Sequence, residues 1–112
     1  MSNAIAAALD SGDPAQVYRR YAGPVFTSHN TEAAFVEQLG YFRIQLGGPA
    51  RARANVGSQA LTRDFSGQPA DLYYVRYLVR YPAAQVFQDI YMERVNGEWK
   101  LYGFWFIPAP TD

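Results

Sequence analysis

Three polar side chains fall next to one another if the C-terminal half of the chain folds as an antiparallel meander. A tyrosine hydroxyl, a carboxamide and an indole N–H, from Tyr77, Gln88 and Trp105, could orient a small ligand in an otherwise apolar pocket. Tyr73 lies on the same side, and Gly103 leaves room nearby. The predicted ligand-binding residues are therefore Tyr73, Tyr77, Gln88 and Trp105. The alternative is that these groups satisfy one another inside a filled core, as buried polar groups generally must.

Proton-transfer catalysis needs a titratable group within reach of the substrate. The predicted strands put no carboxylate on this side of the sheet, and no Gly-x-Ser-x-Gly nucleophile motif is present. His29, the only histidine, lies in a loop ahead of a helix, where it is either capping-region surface or the rim of a pocket. One imidazole is a poor start for a metal site. The sequence predicts no catalytic residue, no metal and no cofactor.

Composition excludes several classes of protein. The 112 residues are enough for one domain, predicted over 1–112, and 49% of them are apolar. Net charge is zero, and the nine arginines and one lysine are spread along the chain, which argues against nucleic-acid binding. Arg51 and Arg53 form the nearest approach to a basic cluster and are predicted to be solvated charges at a strand edge. The absence of cysteine excludes disulfides.

No apolar run reaches the roughly 18 residues of a membrane span, so none is predicted. Met1-Ser2-Asn3-Ala4 lacks the charged and apolar regions of a signal peptide, which favours a cytoplasmic location as written. Ser-Asn-Ala is also a sequence that cloning leaves behind. In that case an export signal would have been removed, and a cell-envelope or secreted location stays open.

The first part of the chain, about residues 4–47, is predicted to be helical. Asp13 and Pro14 are typical of a helix start, and Gly23-Pro24 ends that short helix. Thr31 caps the next helix, in which apolar residues recur every three or four positions until Gly47-Gly48-Pro49. These apolar residues are Phe35, Leu39, Phe42 and Leu46.

From about residue 51 to 108 the period changes to two, which predicts a curved four-stranded antiparallel sheet. Residues 52–62 make a weak strand, and three strong strands follow over 71–81, 84–95 and 98–107. Asn96-Gly97 prefers a two-residue hairpin turn, and Pro82-Ala83 is the expected turn before it. Helices first and a meander second define an α+β class.

Two-residue turns pair Tyr81 with Ala84 and Val95 with Glu98, and so divide the strands into two faces. The helix-facing side is almost wholly apolar. The opposite side, which we call the outer face, is aromatic and brings Arg76 opposite Asp89 and Glu93 opposite Lys100. Its predicted interface residues are Tyr74, Arg76, Phe87, Asp89, Tyr91, Tyr102, Phe104 and Phe106.

This outer face is too apolar to leave in water, since large apolar patches usually mark an interface. The sequence predicts a homodimer through it. Two alternatives stay open: the C-terminal tail or the N-terminal helix folds across the face, or its tyrosines remain exposed.

Four stretches resemble, in order, the bacterial domain of unknown function 4019 family. They are DSGDPAQVYRRYAGPVF, TEAAFVEQLGYFRIQLGGP, YYVRY and NGEWKLYGFWF. The resemblance spans about residues 4–107 and includes Asp10, Gly12, Asp13, Trp99 and Gly103, while Phe104 stands where the family often has Tyr. It implies the cone-shaped fold of nuclear transport factor 2-like (cystatin-like) proteins. It implies no catalytic residue, and a shared fold does not transfer function.

The sequence therefore predicts a non-enzymatic binding or dimerisation module that takes a protein partner or a small apolar ligand. One alternative is an isomerase- or hydrolase-like enzyme using the pocket. Another is a structural or accessory domain with a filled core.

Overall fold

In the described part of the chain, four helices precede a single antiparallel sheet, as predicted for an α+β chain. The structure is a computed structural model and describes residues 2–110. The strands follow one another in the order β1-β2-β3-β4 across the sheet. The elements are α1 (Ser2–Ser11), α2 (Pro14–Tyr21), α3 (Pro24–His29), α4 (Glu32–Leu46), β1 (Ala52–Arg63), β2 (Pro69–Arg80), β3 (Gln85–Val95) and β4 (Glu98–Pro108).

The long helix α4 begins and ends where the sequence predicts. Thr31 Oγ1 accepts a hydrogen bond from the Ala34 amide at 3.1 Å, which satisfies one of the free amides of the first turn. Gly47 ends the helix with φ 82°, the left-handed conformation that glycine adopts without strain. The predicted apolar residues of α4 face the core, where Phe35 and Leu39 are fully buried.

Helix α3 is not predicted, because its six residues include the β-branched Val25 and Thr27 and lie between two breakers. Pro24 occupies its first turn, where a proline loses no hydrogen bond. The sheet anchors this helix, since Gly23 N donates to Leu101 O at 2.9 Å. Val25 N donates to a carboxylate oxygen of Glu93 at 3.2 Å. An acidic side chain of β3 thus caps the amino end of α3.

The two turns that set the sheet register are as predicted. Tyr81 N donates to Ala84 O at 2.8 Å, and Val95 pairs with Glu98. Asn96 and Gly97 have φ 52° and 82°, as an Asn-Gly hairpin turn requires. Arg76 therefore lies opposite Asp89, and Glu93 lies opposite Lys100.

The register predicted for the second half of β4 is wrong. The β3–β4 pairing shifts between Tyr91 and Met92 because Tyr102 is an extra residue in β4, a β-bulge. Side chains alternate along a strand, so one extra residue moves every later side chain to the opposite face. Phe104 and Phe106 consequently face the helices. Gly103, Trp105 and Ile107 lie on the outer face instead.

The core lies between the helices and one face of the sheet, and its centre is aromatic. Phe104 is 8% exposed and lies between Phe26 and Phe35, with ring centroids at 6.1 and 5.9 Å. Phe106 contacts Phe42 at 5.0 Å. The bulge thus gives α3 and α4 two phenylalanines to pack against, which bind these helices to β4.

Candidate functional site

The four residues predicted to line a pocket do not come together. Tyr77 pairs with Gln88 across β2 and β3, as predicted. The neighbour of Gln88 on β4 is Phe106 rather than Trp105, because of the bulge at Tyr102. Trp105 therefore lies on the outer face, opposite Asp89. Tyr73 is half-buried beside Trp99, with centroids 6.1 Å apart.

Tyr77 and Gln88 are packed inside the core. Tyr77 is 3% exposed and Gln88 is fully buried. The Tyr77 hydroxyl shares a hydrogen bond of 2.6 Å with Ser2 Oγ. Among residues 2–110, no hydrogen-bond partner contacts the Gln88 Nε2 atom, although its Oε1 accepts from Arg53 at 3.1 Å. This packing corresponds to the filled-core alternative for these two residues.

A buried charged network, which sequence reasoning missed, joins α1 to β1. The Asp10 carboxylate accepts hydrogen bonds from the Arg53 guanidinium and from the Tyr81 hydroxyl. Asp10 and Arg53 side chains are only 5% and 18% exposed, so the prediction of Arg53 as a solvated charge is wrong. The available signal was the four-residue spacing from the buried Ala6 to Asp10, which puts both on one side of α1.

Burial shifts the ionisation of two groups around this network. Desolvation and the hydrogen bond to Asp10 hold the pKa of the Tyr81 phenol far above its ordinary value. Burial lowers the pKa of Arg43, whose guanidinium donates to the carbonyls of Ala8, Leu9 and Gly12 at the end of α1. Both groups fasten α1 to its neighbours, so the network has a structural role.

The outer face keeps most of its predicted interface residues. Tyr74, Arg76, Phe87, Asp89, Tyr91 and Tyr102 lie on it or at its β4 edge, and only Asp89 among them is buried. Phe104 and Phe106 are the exceptions, because the bulge turns both toward the helices. Trp105 and Ile107, which are 46% and 39% exposed, take their place. The face is therefore still aromatic, with two large side chains open to solvent.

One ion pair crosses the middle of the outer face. Arg76 donates to both oxygens of Asp89 at 2.8 and 2.9 Å, the two-point geometry that suits arginine and carboxylate. Tyr74 adds a hydrogen bond at 3.1 Å, and burial together with the Asp89 charge raises the Tyr74 pKa. The Arg76 guanidinium also lies 4.6 Å from the Phe87 ring centroid. Lys100 lies opposite Glu93 as predicted, but the two charges do not pair. Lys100 Nζ lies 3.4 Å from Glu98 Oε2, and Glu93 caps α3 instead.

Phe65, in the loop between β1 and β2, packs onto the aromatic residues near the bulge. Its ring centroid lies 4.9 Å from Tyr91, 5.2 Å from Tyr102 and 5.9 Å from Trp105. Phe65 nevertheless remains 59% exposed. The loop thus covers one corner of the outer face. The predicted covers behave differently: helix α1 packs on the opposite, helix-facing side of the sheet. At the C-terminal end, Ala109 N donates to Gln85 O at 3.1 Å and so continues the pairing of β4 with β3. Residues 111 and 112 lie outside the described part.

A cleft of about 520 Å³ opens beside this corner, and we call it the α3 cleft. Its walls are the end of α3, one side of α4, the β1–β2 loop and the bulged part of β4. The polar lining residues are His29, Asn30, Gln38, Asp64 and Ser66, and the aromatic ones are Phe26, Phe65, Tyr102, Phe104 and Trp105.

The sequence predicts His29 in a loop, but it is the last residue of α3; it lines the α3 cleft, one of its two predicted positions. Its Nδ1 atom is 3.0 Å from Val25 O and 3.0 Å from Ser28 Oγ. Within residues 2–110, no group of three or more His, Cys, Asp or Glu side chains is arranged to hold a metal ion. The cleft therefore offers hydrogen bonds, aromatic surface and one carboxylate.

No protein-family model, curated protein or solved structure matches this chain. Among the described helices, none has the length and apolar character needed to cross a membrane.

Proposed function

We propose that this protein is a non-enzymatic binding module that forms a homodimer through the outer face of its sheet. One observation carries the proposal: the four helices within residues 2–110 precede the sheet and pack on one side, while the other side carries exposed large apolar side chains. Trp105, Ile107 and Phe65 are 46%, 39% and 59% exposed. Apolar patches of this kind mark protein interfaces.

The size of the face supports a second copy of the chain as the partner. The shortest strands have 11 residues and rise about 3.3 Å per residue, and four strands lie about 4.8 Å apart. The face therefore covers about 700 Å² before side-chain relief is added. A stable interface buries about 800 Å² on each partner. The area of the bare sheet approaches this requirement, and the relief of the aromatic side chains adds to it.

The charge distribution supports a two-fold dimer. In such a dimer the same surface meets itself, so an unbalanced charge at its centre would oppose association. Arg76 and Asp89 neutralise each other within one chain, and the Arg76 guanidinium lies over the Phe87 ring. The centre of the face therefore offers aromatic surface and a satisfied ion pair to its copy.

Solution mass by light scattering tests the proposal, with Ile107→Glu as the test variant and Ile44→Glu as its matched control. Ile44 is 79% exposed on α4, so both variants replace an exposed isoleucine by a negatively charged glutamate. We expect the wild type and Ile44→Glu to be dimers and Ile107→Glu to be a monomer. A monomeric wild type would refute the dimer. Loss of the dimer only in Ile44→Glu would place the interface on α4.

A structural or accessory domain is the second candidate, and the filled core around Tyr77 and Gln88 favours it. The enzyme alternative has less support, because the bulge separates Trp105 from Gln88. The relationship to the domain of unknown function 4019 family and to nuclear transport factor 2-like proteins also remains a proposal. Its support is the order of elements and the four sequence stretches.

A further inference from the structure

The α3 cleft has aromatic walls and, apart from His29, one ionisable carboxylate or basic side chain among its described lining residues, that of Asp64. Trp105 and Tyr102 line it from β4, and Phe65 lines it from the β1–β2 loop. The face of an aromatic ring carries negative partial charge and attracts cations. Lysine and arginine are absent from the cleft lining within residues 2–110. The cleft is therefore electrostatically suited to a positive ligand.

Asp64 supplies the negative charge, and the loop holds this carboxylate in place. Its Oδ1 atom accepts hydrogen bonds from Ser66 N at 2.9 Å, Ser66 Oγ at 2.6 Å and Gln68 N at 3.0 Å. These hydrogen bonds, above all that from the Ser66 side chain, lower the Asp64 pKa. All three use Oδ1, which leaves Oδ2 as an acceptor for a ligand.

The loop that carries Asp64 and Phe65 is ordered by its own hydrogen bonds. Asp64 N donates to Gln68 O at 2.8 Å, and Gly67 N donates to Asp64 O at 3.0 Å. Arg63 donates to the Gly67 carbonyl at 2.9 Å. A preformed loop loses little conformational freedom when a ligand binds, which favours affinity. The carboxylate and the Phe65 ring are thus already positioned.

We propose that the α3 cleft binds a small organic cation of the methylated ammonium class. The cation lies against Trp105, Tyr102 and Phe65, and Asp64 Oδ2 neutralises its charge. Aromatic residues around a cation are the usual way in which proteins recognise quaternary ammonium groups. The cleft volume of about 520 Å³ is within the range of small-molecule sites. This small-molecule site goes beyond the proposed dimer: it shares Trp105 and Phe65 with the outer face, but Asp64, His29 and Gln38 lie outside the sheet faces.

Choline is a suitable probe, and its uncharged isostere, with a tert-butyl group in place of trimethylammonium, is the matched control. The chain has two tryptophans, so its NMR spectrum has two indole N–H signals, which a Trp105→Phe variant assigns. Trp99 lies outside the cleft and serves as the internal reference. The full chain is titrated to about 20 mM ligand, which detects millimolar dissociation constants, with sodium chloride as the salt control.

We expect choline to shift the Trp105 signal saturably and to leave Trp99 unchanged, with the isostere binding at least about fivefold more weakly. Asp64→Asn keeps an acceptor oxygen for the loop amides but removes the charge, and should weaken choline binding about three- to tenfold. Asp71→Asn, at an aspartate that is 66% exposed and outside the cleft, should bind choline like the wild type.

Three results would overturn the proposal. They are equal binding of choline and its isostere, unchanged binding in Asp64→Asn, and no saturable shift of Trp105. Repeating the titration on Ile107→Glu separates this proposal from the dimer. If Ile107→Glu is a monomer that still binds choline, the cation site does not depend on the dimer. If the wild type is a monomer that binds choline, the dimer fails and the cation site remains.

Discussion

Asp89 lies opposite Trp105 across strands β3 and β4, whereas an uninterrupted hairpin would have put Phe104 there. The difference arises from the single bulged residue Tyr102. It moves Phe104 into the core beside Phe26 and Phe35, and it moves Trp105 onto the outer face. The packing of α3 and α4, the exposed part of the proposed dimer face and one wall of the α3 cleft all depend on this shift.

The bulge predicts that truncating two neighbouring residues lowers the stability by very different amounts. Phe104→Ala removes a core ring that contacts both α3 and α4, and should lower the free energy of unfolding by about 3–4 kcal/mol. Trp105→Ala removes a ring that is 46% exposed and should cost about 1 kcal/mol or less. Urea denaturation measures both values at a concentration where the wild type is monomeric. A larger loss for Trp105→Ala than for Phe104→Ala would contradict the observed register.

The ion pair between α1 and β1 predicts strong destabilisation when only one partner is removed. Asp10→Ala leaves the Arg53 charge and the Tyr81 hydroxyl without their carboxylate, and should cost about 3 kcal/mol. The triple variant Asp10→Leu, Arg53→Met and Tyr81→Phe replaces both charges and the hydroxyl by apolar groups, leaves only Gln88 Oε1 without its donor, and should cost about 1–2 kcal/mol. Thermal or urea unfolding distinguishes the two. Equal losses in both variants would mean that the pair itself carries the stability.

Tyr81 predicts a loss of stability at high pH. Its pKa is raised in the folded chain by burial and by Asp10. The contribution of the protonated Tyr81 phenol to the free energy of unfolding is therefore fully present below the unfolded pKa of about 10. The contribution is lost as pH rises above that value, because the unfolded chain then releases the proton more readily. Tyr81→Phe should make the unfolding free energy less dependent on pH in this range. An identical alkaline profile in the two proteins would refute this assignment.

Asp64 predicts the opposite dependence at low pH. Its pKa is lowered in the folded chain. The hydrogen bonds to the ionised Asp64 carboxylate therefore stabilise the fold fully above the unfolded pKa of about 3.9, and this stabilisation is lost as pH falls through the folded pKa. Ser66→Ala removes the side-chain hydrogen bond to Asp64, which is the largest cause of the lowered pKa, and should therefore raise the Asp64 pKa. Carboxyl NMR titration measures this change. Ser58→Ala on β1 is the control, and a pKa unchanged in Ser66→Ala would show that the amides alone set it.

Much of the fold was predictable because its signals are local. Thr31 and Gly47 determine where α4 begins and ends, since a cap and a left-handed glycine act within one turn. The Asn96-Gly97 turn aligns the start of β4 with β3, and so puts Lys100 opposite Glu93. The alternation of β2 and β3 then decides which residues lie on the outer face. Each of these features requires only residues that are close in the sequence.

Gly103 was a signal for the bulge that could have been used, because glycine inside a strand often marks one. Room for a pocket is the other interpretation of a glycine at this position. In the structure a Cβ atom at position 103 would lie 3.0 Å from the Trp105 ring, so this glycine accommodates the indole on the outer face. With Tyr102 as the extra residue, Phe104 and Phe106 are the phenylalanines of β4 that pack against the helices.

By itself, the sequence determined the α+β class, the four strands, the two ends of α4 and the registers at the two turns. These depend on periodicity and turn chemistry, which extend over a few residues. Only the tertiary structure decided that Asp10 meets Arg53, that Phe65 reaches Tyr91, and that Trp105 and Phe104 exchange faces. Each of these contacts joins segments whose approach depends on the packing of the whole core, so neither segment alone encodes it.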